Sequence, residues 1–215
     1  MDTEALQIKP HNGWRTALRP AVLDRIEQIA ILALWVFLVE RVWTSGNPLA
    51  PLLLVAETTV MFFVLIRRPT QAISVRPGDW LMAAAATAAP MLVIPGPNPW
   101  PALAPLGIAL VLAGNLFQIW AKLSLRRSFG VAPANRGVKV GGPYRFVRHP
   151  MYAGYFATHL GIMLLMPSLF NLMLYVLCWW CQVLRLLAEE RILGQDPAYR
   201  TFSETTRWRL LPGVF

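Results

Sequence analysis

Apolar residues run through this chain in long blocks, with the charged and turn-forming residues gathered between them. Four blocks, at 26–43, 48–66, 80–94 and 102–123, come close to the ~20 helical residues that cross a hydrocarbon core of about 30 Å. The short Gly- and Pro-rich connections between them predict antiparallel neighbours. Small residues crowd the third block (Ala83 to Ala86, Ala88, Ala89), which lets helix backbones approach closely in lipid. After Ala121 the pattern breaks. The stretch 122–148 is polar, basic and punctuated by Gly130, Pro133, Gly137, Gly141, Gly142 and Pro143. It is too irregular to cross a bilayer and is predicted as a loop, cytoplasmic or packed into the protein. Pro150 suits the first position of a helix that runs to Met166, where Pro167 stops it. At about 16 residues, or about 24 Å, this helix either penetrates part way or tilts little. A further helix over 169–191 brings the chain back. The tail 194–215, with Tyr199, Phe202, Arg207, Trp208 and Arg209, has the make-up of an interfacial lid held by aromatic and basic anchors.

Composition agrees with the pattern. Of 215 residues, 56% are hydrophobic and only 14% charged, more apolar than a soluble domain of this length. The expected fold is an all-α integral membrane protein, a polytopic bundle of about six hydrophobic helices, five of them possible full spans. It forms a single domain over 1–215, with helices in 1–123 and the loop and last two helices in 124–215. No removable signal peptide is expected, because the first apolar run lies behind about 28 mixed residues and lacks a small-residue cleavage pattern. The net charge of +9 does not point to nucleic acid, since the basic residues form no patch interleaved with aromatics. They follow the positive-inside rule instead. With Lys9, Arg15, Arg19 and Arg25 cytoplasmic, Arg67, Arg68, Arg76, the 122–148 loop and the C-terminal cations fall on the same side, and only Arg41 lands opposite. The connections 44–47, 95–101 and 167–171 carry no charge. Cys178 and Cys181 share one face of an apolar helix with no second pair to complete a metal site, so packing is the expected role.

Chemistry-bearing residues gather late in the chain. Tyr152, Tyr155, His159 and Met163 recur at helical spacing, as do Gln182, Arg185 and Glu189 on the returning helix. A turn between the two helices brings the run Gly141 to Gly154 and the acidic pair Glu189 and Glu190 to one membrane face. An Arg and a Glu there mark either a functional site or a snorkelling pair at a helix end. Glu57, midway through the second span, must face inward, be protonated or find a partner such as Asn115 or Gln118, and a structural hydrogen bond is the expected role. Glu40 and Arg41 read as an interfacial pair, His159 as a satisfied bundle histidine, and His11 as part of a solvated tail.

Leu125-Arg126-Arg127-Ser128-Phe129, Pro133, Arg136, Gly142-Pro143-Tyr144-Arg145, Arg148-His149-Pro150-Met151-Tyr152-Ala153-Gly154, Glu189-Glu190-Arg191, Tyr199 and Leu211-Pro212-Gly213 together resemble the isoprenylcysteine carboxyl methyltransferase family. That family belongs to a wider group of membrane methyltransferases that includes the phospholipid N-methylating enzymes. The resemblance covers 125–215, and the R-H-P-x-Y-x-G element with a Glu-Glu pair about 40 residues on is specific in combination. It implies a membrane enzyme that takes a methyl group from S-adenosylmethionine, releasing S-adenosylhomocysteine, in a pocket formed by the loop and the last two helices. By motif position Tyr144, His149, Pro150, Met151 and Tyr152 line the cofactor, Glu189 holds it, the segment with Lys139 adds contacts, and Arg185 meets the substrate. A sulfonium, an ammonium, a carboxylate and an adenine call for such a mixture of carboxylate, donors and aromatic faces. Backbone N–H groups after Pro150 suit the cofactor carboxylate.

The methyl acceptor implied is lipid-like, most simply the carboxylate of an isoprenylcysteine-like amphiphile positioned by Arg185, which needs alignment in a dry pocket more than a base. The alternative is an amine of a phospholipid or related compound. It must lose a proton, which makes Glu190 or His149 candidate bases. More remote are a sterol-reductase-like oxidoreductase and a non-enzymatic scaffold: the loop is short for a dinucleotide, and a scaffold has no reason to collect Arg185, Glu189 and His149. Expected partners are the acceptor and membrane lipids, with no metal and no nucleic acid.

Overall fold

The computed structural model describes residues 20–68, 70, 73–74 and 76–215. Lys9, His11, Arg15 and Arg19 lie outside the described residues. The described residues form seven α-helices: α1 (Pro20–Thr44), α2 (Pro51–Ile66), α3 (Pro77–Met91), α4 (Ala104–Leu125), α5 (Pro150–Leu165), α6 (Leu169–Leu193) and α7 (Pro197–Thr205). Among the described residues there is no β-strand, only an isolated bridge between Ile73 and Ala134. Where about six hydrophobic helices were expected, a seventh, α7, stands in the tail. Asp196 caps it by accepting from Ala198 N at 2.9 Å, and Pro197 follows, a local start signal too short to stand out from the polar tail. Proline also opens α2, α3 and α5, and Ser168 caps α6 by accepting from Asn171 N at 3.0 Å. Among the described residues, two helical segments, Pro101–Ser128 and Leu169–Leu193, are long and apolar enough to cross a membrane. Large apolar residues such as Ile29, Leu81, Leu116, Met173 and Trp180 face outward, as in a chain solvated by lipid.

The bundle has two chemically different ends. At one, the uncharged turns meet: Asn47 Nδ2 donates to Gly96 O at 2.7 Å, and Asn171 bonds both the N and the O of Ile94 at 3.0 Å. At the other, Arg68 N donates to Arg127 O at 2.8 Å, Ser74 N to Pro133 O at 2.9 Å, Val131 N to the Glu27 carboxylate at 3.0 Å, and Arg191 pairs with Asp79. The 122–148 loop is thus packed onto the charged end of the bundle. Arg41 donates to Leu92 O at 3.2 Å and lies over Phe37, in place of the expected pair with Glu40.

Helix pairing departs from the expected α5–α6 hairpin of adjacent rods. α5 runs along α4 and α6 along α3, so the backbones of α5 and α6 meet at few points. Glycines explain the first pairing. Gly107 and Gly114 on α4 face Gly161 and Gly154 on α5, each spaced by two helical turns, and a Cβ at Gly114 would lie 2.7 Å from Gly154 O. The alanine face of α3 (Ala83, Ala86, Ala89) supplies the second. Aromatic side chains bridge the wider α5–α6 gap, with Phe156 and Trp179 centroids 5.1 Å apart and His159 and Tyr175 4.6 Å apart.

Two apolar clusters fill the bundle. One, with Phe63, Val64, Phe129, Tyr152, Leu186 and Phe202, lies toward the charged end, and the other, with Leu38, Leu53, Met91, Val111, Leu165 and Cys178, toward the uncharged end. Four of the helices contribute buried polar residues to the interior: Glu57 on α2, Asn115, Gln118 and Lys122 on α4, Thr158 and His159 on α5, Gln182 and Arg185 on α6. Gln118 donates to Thr158 Oγ1 at 3.0 Å and accepts from Lys122 Nζ at 3.1 Å. Glu57 is not hydrogen-bonded to Gln118, which is engaged by neighbours on its own helix and on α5, nor to Asn115, whose amide is buried without a partner.

Candidate active site

A cleft of about 680 Å³, measured to its open mouth, lies at the charged end between the 122–148 loop, the start of α5, the end of α6 and α7. Of the expected site residues, Lys139, Tyr144, His149, Met151 and Glu189 line it. Pro150 does not. It is buried at the first turn of α5, where its fixed φ sets the helix going and so places Met151. Tyr152 stands behind the wall and donates its hydroxyl to Glu189 Oε1 at 2.7 Å.

Glu189 is the hinge of the arrangement. Besides Tyr152 it has Arg185 Nε 3.3 Å from Oε1 and His149 Nδ1 3.8 Å from Oε2. Arg185 itself turns away from the cleft. Its Nη2 donates to Gly130 O at 3.2 Å, its guanidinium carbon lies 5.5 Å from the Tyr152 ring centroid, and it lines a smaller inner cavity on the far side. The cleft and the inner cavity are thus separated by Arg185 and the turn at Gly130 and Val131.

Glu190, one residue on, points about 100° around the helix and is absent from the cleft wall. Its oxygens accept from Arg148 Nη1 at 2.8 Å, Arg209 Nε at 2.6 Å, His149 Nε2 at 3.2 Å and Tyr199 OH at 3.2 Å. With four donors gathered on it, Glu190 pins loop, tail and helix together. The same junction is sewn by Arg148 N to Trp208 O at 2.9 Å and His149 N to Arg209 O at 2.8 Å. This tail contact carries Tyr199 and Phe202 of α7 into the cleft wall.

Two cleft groups remain open to a ligand. The Tyr144 hydroxyl is buried without a protein partner, as is Arg148 Nε. Burial, and after it the Glu189 carboxylate, holds the Tyr144 phenol well above its ordinary pKa, so it stays a donor. Tyr199 is shifted the same way by burial and by Glu190. A carboxylate, a phenol donor, a guanidinium edge and aromatic faces therefore converge on one cleft.

Glu27 is a residue the motifs gave no hint of. An acid near the start of α1, it pairs with Arg67 and accepts from Val131 N, which positions the Gly130 turn that Arg185 leans on.

The family model described as phospholipid methyltransferase matches residues 103–196. The matched span takes in α4, the loop, α5 and α6, and leaves out α1 to α3 and α7. No curated protein matches the chain. Residues 103–196 thus carry the pattern of the phospholipid methyltransferase family, in the group of membrane methyltransferases that also holds the isoprenylcysteine carboxyl methyltransferases.

Proposed function

We propose that this protein transfers a methyl group from S-adenosylmethionine to a lipid-like acceptor at the cytoplasmic face of a membrane. The observation that carries the reading is the convergence of Glu189, Tyr144, His149 and Met151 on one cleft. Its open groups fit the methyl donor. Glu189 suits its ammonium or ribose hydroxyls, the orphaned Tyr144 hydroxyl and Arg148 Nε suit its carboxylate, and Tyr199 and Phe202 offer faces for adenine. When bound, S-adenosylmethionine supplies an electrophilic methyl on a sulfonium.

The chain's own residues then hold the geometry. Tyr152 and Arg185 fix the Glu189 rotamer from behind, and His149 is held between the two carboxylates. Burial in an apolar bundle keeps bulk water from the far side of Arg185.

For the acceptor, an amine is favoured over the carboxylate of an isoprenylcysteine-like compound. Arg185 turns its Nη2 to Gly130 O on the far side of the cleft, which directs the guanidinium away from a carboxylate bound there. The family match, phospholipid methyltransferase, supports the same choice. The clustering of cations at the cleft end of the bundle supports a cytoplasmic orientation for that end.

Calorimetric titration of the detergent-solubilised protein with S-adenosylmethionine tests the reading. The intact chain binds it and Glu189→Ala weakens binding at least about tenfold, as expected for loss of a charge-assisted contact. No binding to the intact chain overturns it.

A further inference from the structure

The end of α4 gathers positive charge and donors outside the cleft. Leu123, Ser124, Arg126, Lys139, Gly141 and Gly142 line an open recess where α4 meets the turn at 139–142. Lys139 borders both recess and cleft, and none of the other five reaches the cleft wall. The stretch 122–148 contains no Asp or Glu, and the side chains of Arg126 and Lys139 have no ion pair or hydrogen bond among the described residues. The indole Nε1 of Trp120, 3.4 Å from where a Cβ at Gly142 would stand, is also without an acceptor among them. Ser124 Oγ is engaged with Trp120 O at 2.9 Å. Two cations and an N–H thus meet where the protein supplies no anion.

Arg126 is held there under backbone strain. Its φ of +52° and ψ of −124° match the first central position of a type II′ turn, where glycine is usual. Among the described residues no other non-glycine has positive φ, and such a conformation costs about 1–3 kcal/mol in a residue with a Cβ. Gly142, at φ +61° on the facing turn, shows the ordinary solution. An arginine standing where glycine fits without strain points to a task for its side chain.

The recess lies at the end of a lipid-facing stripe. Leu112, Leu116, Trp120 and Leu123 are 43–68% exposed and recur at four-, four- and three-residue steps along one face of α4. From Leu112 to Leu123 the helix rises about 16 Å, close to one leaflet of a ~30 Å hydrocarbon core. Trp120, its ring on the stripe and its N–H at the recess, has the placement of an interfacial anchor.

We infer that the recess binds the phosphate of an anionic phospholipid of the surrounding leaflet, with Arg126 and Lys139 as its cations and the α4 stripe as the bed of one acyl chain. Charge selects the occupant. A zwitterionic head group brings a cation toward two cations, and a soluble phosphate leaves the stripe bare. The lipid so held lies outside the cleft and is not the methyl acceptor, and the site stands independently of the methyltransferase reading.

Native mass spectrometry of the full chain in detergent, titrated with phosphatidylglycerol, with phosphatidylcholine of the same acyl chains and with glycerol phosphate, tests the site. Phosphatidylglycerol is retained at least about fivefold more tightly than phosphatidylcholine, and glycerol phosphate at the same concentration is not retained. Arg126→Gln, which lies off the cleft wall and keeps a Cβ at the strained position, lowers phosphatidylglycerol affinity about fivefold. Arg200→Gln removes the same charge from α7 and leaves that affinity within about twofold. In lipid-free detergent Arg126→Gly melts at or above the parent temperature as the strain is relieved, yet loses phosphatidylglycerol as Arg126→Gln does. Equal retention of phosphatidylcholine, equal loss in Arg200→Gln, or glycerol phosphate held as tightly as the lipid overturns the site. So does a lowered melting temperature in Arg126→Gly, which would give the arginine a purely structural role.

Discussion

Glu189 and Glu190 are chemically identical neighbours with different surroundings, because one step along a helix rotates a side chain by about 100°. Glu189 faces the cleft with Tyr152 behind it, while Glu190 is enclosed by Arg148, Arg209, His149 and Tyr199. Their substitutions should therefore separate. Glu190→Ala leaves several donors without their anion and is expected to lower stability by about 2–3 kcal/mol, read as a fall in melting temperature. A Glu190 acting as base would instead show a collapsed kcat with melting unchanged. Arg185→Ala is expected to abolish turnover while S-adenosylmethionine binding falls less than in Glu189→Ala, since Tyr152 still holds Glu189. Equal losses would place Arg185 at the donor. Tyr144 gives a pH signature. Its folded pKa is raised, so the unfolded chain loses the phenol proton first as pH climbs past about 10, and stability present below that pH declines above it. Tyr144→Phe should flatten part of that alkaline decline in melting temperature.

Among the elements, the α4–α5 pair sets the position of the site, because α5 begins with the residues that line the cleft and α4 leads into the loop. Its close approach depends on glycine. A Cβ at Gly114 would meet Thr158 Oγ1 at 2.5 Å and Gly154 O at 2.7 Å, the latter being backbone that cannot swing aside. Gly114→Leu is expected to cost ~1–3 kcal/mol or more from overpacking and to weaken S-adenosylmethionine binding by shifting His149 and Met151. Gly78→Ala, at the start of α3 with nothing within 4 Å of the added Cβ, is the control and should melt within about 0.5 kcal/mol of the parent. Similar losses for both would mean that the α4–α5 seam is not the tight contact described.

For the whole molecule, the two ends of the bundle divide the charges. The uncharged turns meet around Asn47, Gly96 and Asn171, and the loop, α7 and most cations gather around the cleft. With Cys178 and Cys181 buried, single cysteines introduced at Asn98 and Lys139 report sidedness cleanly. In intact cells a membrane-impermeant thiol reagent should label Asn98→Cys, and Lys139→Cys only after permeabilisation. The reverse pattern would invert the orientation and remove the cleft from the cytoplasm.

What the chain reveals unaided is local and periodic. Apolar blocks, Pro at helix starts and the spacing of Tyr152, Tyr155 and His159, or of Gln182, Arg185 and Glu189, suffice to foresee the apolar helices and the end at which His149 meets Glu189. These follow from one-dimensional rules: hydrophobic length, helical pitch and turn chemistry. Helix partnership was not legible, since the alanine run on α3 invited close packing without naming α6, and the four glycines of α4 and α5 signal only once their faces are opposed. The role of Glu57 was equally hidden. Its sequence neighbours allow a partner on α4, yet Gln118 is taken by Thr158 and Lys122, and the carboxylate is left facing a cavity walled by four helices. Whether a buried polar group is satisfied depends on residues far away in the chain, so only the packed bundle decides which of them stay open to a ligand.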